Sequence, residues 1–194
     1  DKNIYKEFGS MGFIGSTIEG YGSANTSNIS YGLIAASFEA VDSSFRSALS
    51  VQSSLVIHPI YKFGSDNQKN KYLPELIKGN LVGCFGLTES EAGSDPSSMK
   101  TNFKEEKDCF ILNGSKNWIT NAPIADIFIV WALNDNKKIQ GFIIEKDTTG
   151  LSTSIIENKT SLKISPTGQI ILNNVKIPKK NILPDTQGWK SVFS

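Results

Sequence analysis

Three glycines and three hydroxyls crowd one stretch of the chain: Gly83, Gly86 and Gly93 with Thr88, Ser90 and Ser94 in GCFGLTESEAGSDP. Glycine lets backbone approach a ligand closely and hydroxyls both donate and accept, so this loop suits a polar planar ring or a diphosphate. It equally suits a turn at a strand end, and it lacks the G-x-G-x-x-G spacing of the dinucleotide fingerprint. Further on, Trp118 and Thr120 set a large apolar ring beside a hydroxyl, which reads either as core or as a wall for a stacked ring. Between the two lies a β-hairpin signal, Cys109-Phe110-Ile111-Leu112 followed by Asn113-Gly114. A hairpin there is expected to bring Phe85 to Thr88 and Gly93 to Asp95 beside Trp118 to Thr120, as two walls of one site.

Arg46 offers a different chemistry. With Ser47 beside it and Ser50 one turn on, its guanidinium can address a single acceptor from one helix face, because residues i and i+4 stack. The same spacing describes an exposed arginine on a solvated face, and spacing alone leaves both open. Other catalytic sets are poorly supplied. His58, the one histidine, precedes Pro59 and reads as a helix-end residue rather than as the base for a serine nucleophile. Glu89 and Glu91 are two carboxylates, but the separation a glycosidase needs is not written in a sequence. Cys84 and Cys109 lack metal-ligand spacing, so no metal site is expected, and they read as buried thiols in a reducing compartment.

What must position these residues is a chain of 194 residues, long enough for one sizeable core or for two small units sharing an interface. Twenty basic and nineteen acidic side chains leave a formal charge of +1, which makes no electrostatic case for nucleic acid or an anionic membrane. The longest apolar run, Ile127 to Leu133, falls far short of the roughly 20 residues of a membrane-spanning helix, so no span is expected.

Ile4, Phe8 and Met11 predict a short helix, with Asp1 to Tyr5 already reading as helix interior. The chain also stops on Gly188 to Ser194 without a terminating signal, and a fragment of a longer protein is the expectation. Gly12, Gly15, Gly20 and Gly22 then predict a turn-rich loop. From Tyr31, the positions Ile34, Phe38, Val41, Phe45, Leu49 and Leu55 predict a helix ending at His58-Pro59, where proline removes a donor. Ser65 with Gln68 forms a capping box for the next helix, which Pro74 should kink and Gly79 should stop. Beyond Gly79 the pattern turns strand-like, over 82–88, 109–113, 116–120, 126–133, 139–146 and 168–177. Short strands with turn residues between them predict a small barrel or sandwich. The expected class is α+β: a helical domain over 1–81, then a small antiparallel β-barrel domain over 82–194.

These residues carry a family resemblance. Leu87-Thr88-Glu89 with Ala92-Gly93-Ser94-Asp95, then Asn113-Gly114, Lys116 and Trp118-Ile119-Thr120-Asn121, resembles the acyl-CoA dehydrogenase flavoproteins. Phe45-Arg46-Ser47-Ala48, Ser50 to Ser54 and Gly93-Ser94-Asp95-Pro96-Ser97-Ser98-Met99 are similar to the glutaryl-CoA-oxidising subgroup in particular. Two departures are Ser90, where the family usually places proline, and a shorter Lys104 to Asp108 turn. The resemblance implies a helical domain, a β-barrel domain and a C-terminal four-helix domain, the last absent from residues 1–194. It implies FAD, with Phe85, Gly86, Leu87, Thr88, Gly93 and Ser94 along its pyrimidine side and diphosphate. Trp118, Ile119 and Thr120 would stand against the isoalloxazine, with Thr120 near the hydride-accepting nitrogen. Arg46, Ser47 and Ser50 would hold the distal carboxylate of glutaryl-CoA, and Ser94 would also touch the acyl-CoA.

The implied reaction is removal of an α-proton by a carboxylate, hydride transfer to FAD and loss of CO2 to give crotonyl-CoA, a step of lysine and tryptophan degradation. The base would be a glutamate of the absent domain, so residues 1–194 supply no catalytic residue and the chain alone is expected to be inactive. An electron-transferring flavoprotein as partner, a homotetramer, and a bacterial cytoplasm or mitochondrial matrix are likewise implied. The alternatives are a straight-chain short- or medium-chain acyl-CoA dehydrogenase and a non-catalytic relative that binds acyl-CoA or a protein.

Overall fold

Every residue from Ile127 to Leu133 is buried, and alternate side chains belong to two different cores. In the computed structural model, which describes residues 2–194, this strand sits between a helical layer and the inside of a curled sheet. Ile127, Ile129, Trp131 and Leu133 pack with Leu49, Val56, Ile57, Ile60, Leu73 and Leu76 of the helices. Phe128, Val130 and Ala132 point the other way, toward Phe103, Phe110, Leu112 and Phe142. Burial on both faces explains why the strand reads as an unbroken apolar run instead of an alternation.

The helical half comprises α1 (Asn3–Ser10), α2 (Asn28–Val41), α3 (Ser43–Ser50), a π-helical stretch (Val51–Ile57), α4 (His58–Phe63) and α5 (Asp66–Ile77). The amphipathic reading of the first five residues includes Asp1, which lies outside the described residues. The helix forms as expected, but of Ile4, Phe8 and Met11 only Phe8 is buried; Tyr5 is buried beside it, Ile4 is half-buried and Met11 is exposed. The single helix expected from Tyr31 to His58 is divided. Asp42 is extended (φ −164°, ψ 129°), and its carboxylate accepts the Ser44 N–H at 2.6 Å, ending α2 and capping α3. Apolar spacing continues across the break, so periodicity alone does not register it.

Nor does the chain stop at Pro59. In the π-helical stretch His58 N–H donates to Ser53 O, five residues back, and Pro59 then sits in the first turn of α4, where a missing N–H costs little. The Ser65/Gln68 capping box is present, and α5 runs through Pro74 without ending. It stops ahead of Gly79, whose φ of +72° suits a residue without a Cβ.

The sheet has seven strands: β1 (Gly83–Gly86), β2 (Asn102–Glu105), β3 (Cys109–Thr120), β4 (Ile127–Leu133), β5 (Ile139–Glu145), β6 (Leu151–Ile155) and β7 (Thr167–Pro178). Their order is β1-β4-β2-β3-β7-β6, with β5 on β4. A helical layer followed by a small curled sheet is the class the sequence implied. Most neighbours are antiparallel, but β1 and β2 both run parallel to β4, so the sheet is mixed where an antiparallel one was expected. A short α6 (Trp189–Val192) follows. Among the described residues no helix is long and apolar enough to cross a membrane.

The expected hairpin at Asn113-Gly114 does not exist. Residues 109–120 form one strand, and the tight connection lies earlier, between β2 and β3. Asn113 faces Asn174 across the strands, its Oδ1 accepting the Asn174 N–H at 2.8 Å. Gly114 (φ +143°) is needed for a close approach: a Cβ there would stand 2.5–2.8 Å from atoms of Thr101. The Asn-Gly pair therefore marks a crowded strand position rather than a turn. Two further strands, β2 and the exposed β6, carry too little apolar alternation to be found by pattern.

Candidate functional site

The two walls do meet, by a route other than a hairpin. Strand β3 runs directly beside the loop after β1: Asn117 N–H donates to Thr88 O at 2.9 Å, and Asn117 Nδ2 donates to Ser90 Oγ at 3.2 Å. Beneath them Lys116, fully buried, donates from Nζ to Leu87 O at 3.0 Å and to Glu89 Oε1 at 2.9 Å. Glu89 also accepts the backbone N–H groups of Thr101 (2.9 Å) and Lys100 (2.7 Å). Burial alone would raise the Glu89 carboxyl, but those two N–H groups and the Lys116 charge outweigh it and hold the group below the usual glutamate range. Burial also lowers the Lys116 ammonium, against the pull of Glu89. Glu89 is thus an ionised strut for the loop, with both carboxylate oxygens bonded inside the protein.

On that frame Gly86 is buried, Phe85, Leu87 and Thr88 are half-buried, and Gly93 and Ser94 are exposed. A Cβ at Gly93 would meet nothing within 4 Å, so the loop is open there.

The other wall owes its direction to a β-bulge. Lys116 pairs with Ile170 and Ile119 with Gly168, so the two residues Asn117 and Trp118 oppose the single residue Gln169. An extra residue in one strand kinks it and re-aims a side chain. Trp118 takes φ +59° and is 59% exposed, while Ile119 returns to the core and Thr120 is half-buried. A tryptophan at positive φ is strained. The ring that the sequence left open between core and wall is on the outside. Trp118 and Thr120 line a cleft of about 290 Å3 with Lys159, Thr160, Ser161, Leu162 and Thr167. Sequence reasoning missed this third side. Its loop is tied inward by Lys159, whose Nζ donates to Leu162 O, Ser165 O and Thr167 Oγ1 at 2.5–2.8 Å.

Arg46 and Ser50 are together as their spacing predicts, with Nη1 donating to Ser50 Oγ at 3.3 Å; Ser50 Oγ in turn donates to Ser47 O, and Ser47 is buried. One partner was not foreseen. Glu39 of α2 accepts from Arg46 Nε at 2.8 Å, and its other oxygen accepts from Ser43 Oγ at 2.5 Å. The Ser43 hydroxyl and then Arg46 lower the Glu39 carboxyl, so it is ionised at neutral pH. Glu39 reaches Arg46 because the chain turns at the extended Asp42 between α2 and α3, a break that apolar spacing does not register.

Two family models describe the chain: the N-terminal domain of acyl-CoA dehydrogenase over residues 1–80 and the middle domain of acyl-CoA dehydrogenase over 84–175. The chain belongs to the acyl-CoA dehydrogenase family. Among solved dehydrogenases it is similar to a glutaryl-CoA dehydrogenase of Mycobacterium smegmatis in complex with FADH2, at 44% identity and a TM-score of 0.97, over 99% of this chain and 50% of that one. It is 37% identical to the glutaryl-CoA dehydrogenase of Desulfococcus multivorans, covering 92% of this chain and 48% of the relative. It is 36% identical to the short-chain specific acyl-CoA dehydrogenase of Megasphaera elsdenii, covering 98% and 52%. This acyl-CoA dehydrogenase chain therefore spans about half the length of these relatives.

Proposed function

We propose that this chain is the helical and flavin-binding part, divided near residue 81, of an FAD-dependent dehydrogenase acting on glutaryl-CoA. The observation that carries the flavin reading is the bulge that turns Trp118 out beside Thr120, opposite a glycine- and hydroxyl-bearing loop. A strained, exposed indole gains nothing from the fold, and an aromatic ligand stacked on it would bury it. Phe85, Gly86, Leu87, Thr88, Gly93 and Ser94 would hold the pyrimidine edge and diphosphate, and Trp118, Ile119 and Thr120 the ring. FAD, when bound, supplies a two-electron acceptor for the acyl β-hydrogen. The chain's own residues orient the acyl thioester and exclude water, and the proton-abstracting base is left to the remainder of the protein. Turnover by residues 1–194 alone is accordingly not expected. An electron-transferring flavoprotein as acceptor and a homotetramer belong to the same proposal, on family grounds.

Glutaryl-CoA is favoured because Arg46, Ser47 and Ser50 gather a bidentate cation and a hydroxyl on one helix face. One observation favours a straight-chain acyl substrate instead: Arg46 already has a carboxylate partner in Glu39. Comparing kcat/KM for glutaryl- and butyryl-CoA in the full-length enzyme before and after Arg46→Ala decides between them. Selective loss on glutaryl-CoA supports the first reading, and unchanged selectivity overturns it.

A further inference from the structure

Gly83 opens β1, the strand that leads into the loop of the first wall, and its backbone is gripped from both sides by buried amides. Gln52, fully buried in the π-helical stretch, accepts the Gly83 N–H on Oε1 at 2.9 Å while its Nε2 donates to Leu76 O (3.1 Å) and Leu81 O (2.8 Å). Asn121, also fully buried, donates from Nδ2 to Gly83 O at 3.0 Å and accepts the Tyr5 hydroxyl on Oδ1 at 2.7 Å. Its backbone is in the left-handed region (φ +70°), with its N–H donating to Pro166 O at 2.7 Å. The residue fits only without a side chain, since a Cβ on Gly83 would lie 2.3 Å from Val56.

Each amide belongs to one half of the proposed site. Gln52 lies two residues after Ser50, in the π-helical stretch that directly continues α3, the helix that carries Arg46. Asn121 directly follows Thr120, at the end of the segment that carries Trp118. We propose that Gln52 and Asn121 are positioning residues that clamp Gly83 and thereby set the placement of the acyl-recognising helix against the flavin wall. The inference rests on the reading of the site given above, but the clamp itself is a statement about three residues of this chain. Buried amides bonded through both the nitrogen and the oxygen are strongly directional, because a one-atom change sets an oxygen against a carbonyl.

The geometry supplies its own control. Gln68, also buried, has the same pattern: Nε2 donates to Lys180 O (2.8 Å) and Ile182 O (2.7 Å), and Oε1 accepts the Ser65 N–H (2.9 Å). It sits outside the site. The isosteric substitutions Gln52→Glu, Asn121→Asp and Gln68→Glu each turn a donor into an oxygen facing a carbonyl, in the full-length protein.

Amide hydrogen exchange over residues 83–88 and 118–120, followed without any flavin, is the deciding measurement. Gln52→Glu and Asn121→Asp should each speed exchange in both segments by about tenfold or more, and Gln68→Glu should leave both unchanged while lowering Tm. The two site variants should also weaken FAD by about tenfold and alter the visible circular dichroism of bound flavin. If exchange in the two segments moves no more than in Gln68→Glu, the clamp is refuted. If the wild-type protein binds no flavin while the exchange pattern holds, the clamp stands and the flavin reading fails.

Discussion

The Lys116 ammonium lies 2.9 Å from Glu89 Oε1 with no solvent contact of its own, directly under the loop that carries Leu87 and Thr88. Removing one member of such a pair strands the other in a low-dielectric interior. Glu89→Gln should therefore cost about 3 kcal/mol or more of unfolding free energy, and Lys116→Met, which removes the buried cation, should cost less. Urea denaturation of the two variants checks the order; equal losses would argue that the pair is screened by solvent.

The same pair has a pH signature. The Glu89 carboxyl is held low, so its contribution is present above the ordinary glutamate range and is lost as pH falls through its lowered value. Lys116 is also lowered in the folded chain, so between that value and the ordinary lysine pKa of about 10.4 the unfolded state binds more protons and stability rises with pH. Glu89→Gln should steepen this alkaline rise, because the opposing charge is gone. Denaturation midpoints measured from pH 7 to 10 give the slope.

His58 allows a cleaner titration, being the one histidine. Burial first, and Lys62 second, lower its pKa. A proton on His58 therefore favours the unfolded chain, and stability should fall as pH drops from the ordinary histidine value of about 6.5 through the lowered one. Its imidazole resonance should titrate below that of a free histidine.

Gly114 and Gly93 should respond oppositely to alanine. Gly114→Ala drives a methyl into Thr101 and should cost about 2 kcal/mol or more. Gly93→Ala meets open space and should fall within about 0.5 kcal/mol of wild type. Were Asn113-Gly114 a solvent-exposed turn, no backbone neighbour would stand in the way of the methyl. Thermal unfolding of both variants distinguishes the cases.

Arg46→Lys should not restore what Arg46→Ala loses. Lysine cannot serve Glu39 and a substrate carboxylate with one planar fork, so the glutaryl preference should stay reduced by about tenfold or more. Competition kinetics between glutaryl- and butyryl-CoA reads this directly, and full recovery in Arg46→Lys would contradict the bidentate role.

Much of the architecture was legible because it is local. The capping box at Ser65 and Gln68, the first helix, and the buried strand at Ile127 to Leu133 follow from side-chain type and spacing within a turn or two. So was the pairing of Arg46 with Ser50, one helical turn apart. The failures share a cause. Asp42 breaks a helix through a single carboxylate reaching Ser44 N–H, and Pro59 sits at little cost in the first turn of α4; neither disturbs apolar periodicity.

For the site, the sequence by itself determined the materials: a glycine- and hydroxyl-bearing loop, an indole with a neighbouring hydroxyl, a guanidinium beside serines. Only the tertiary structure decided how they face one another. Asn113-Gly114 has turn chemistry, yet Thr101 packed against Gly114 and Asn174 bonded to Asn113 carry β3 on as one strand, with a register shift against β7 at that point. The walls meet through long-range bonds, Lys116 to Glu89 and Asn117 to Thr88, and Trp118 faces outward because β3 carries one residue more than β7 at that point. A bulge is a property of two strands in register, and no single strand's sequence contains it.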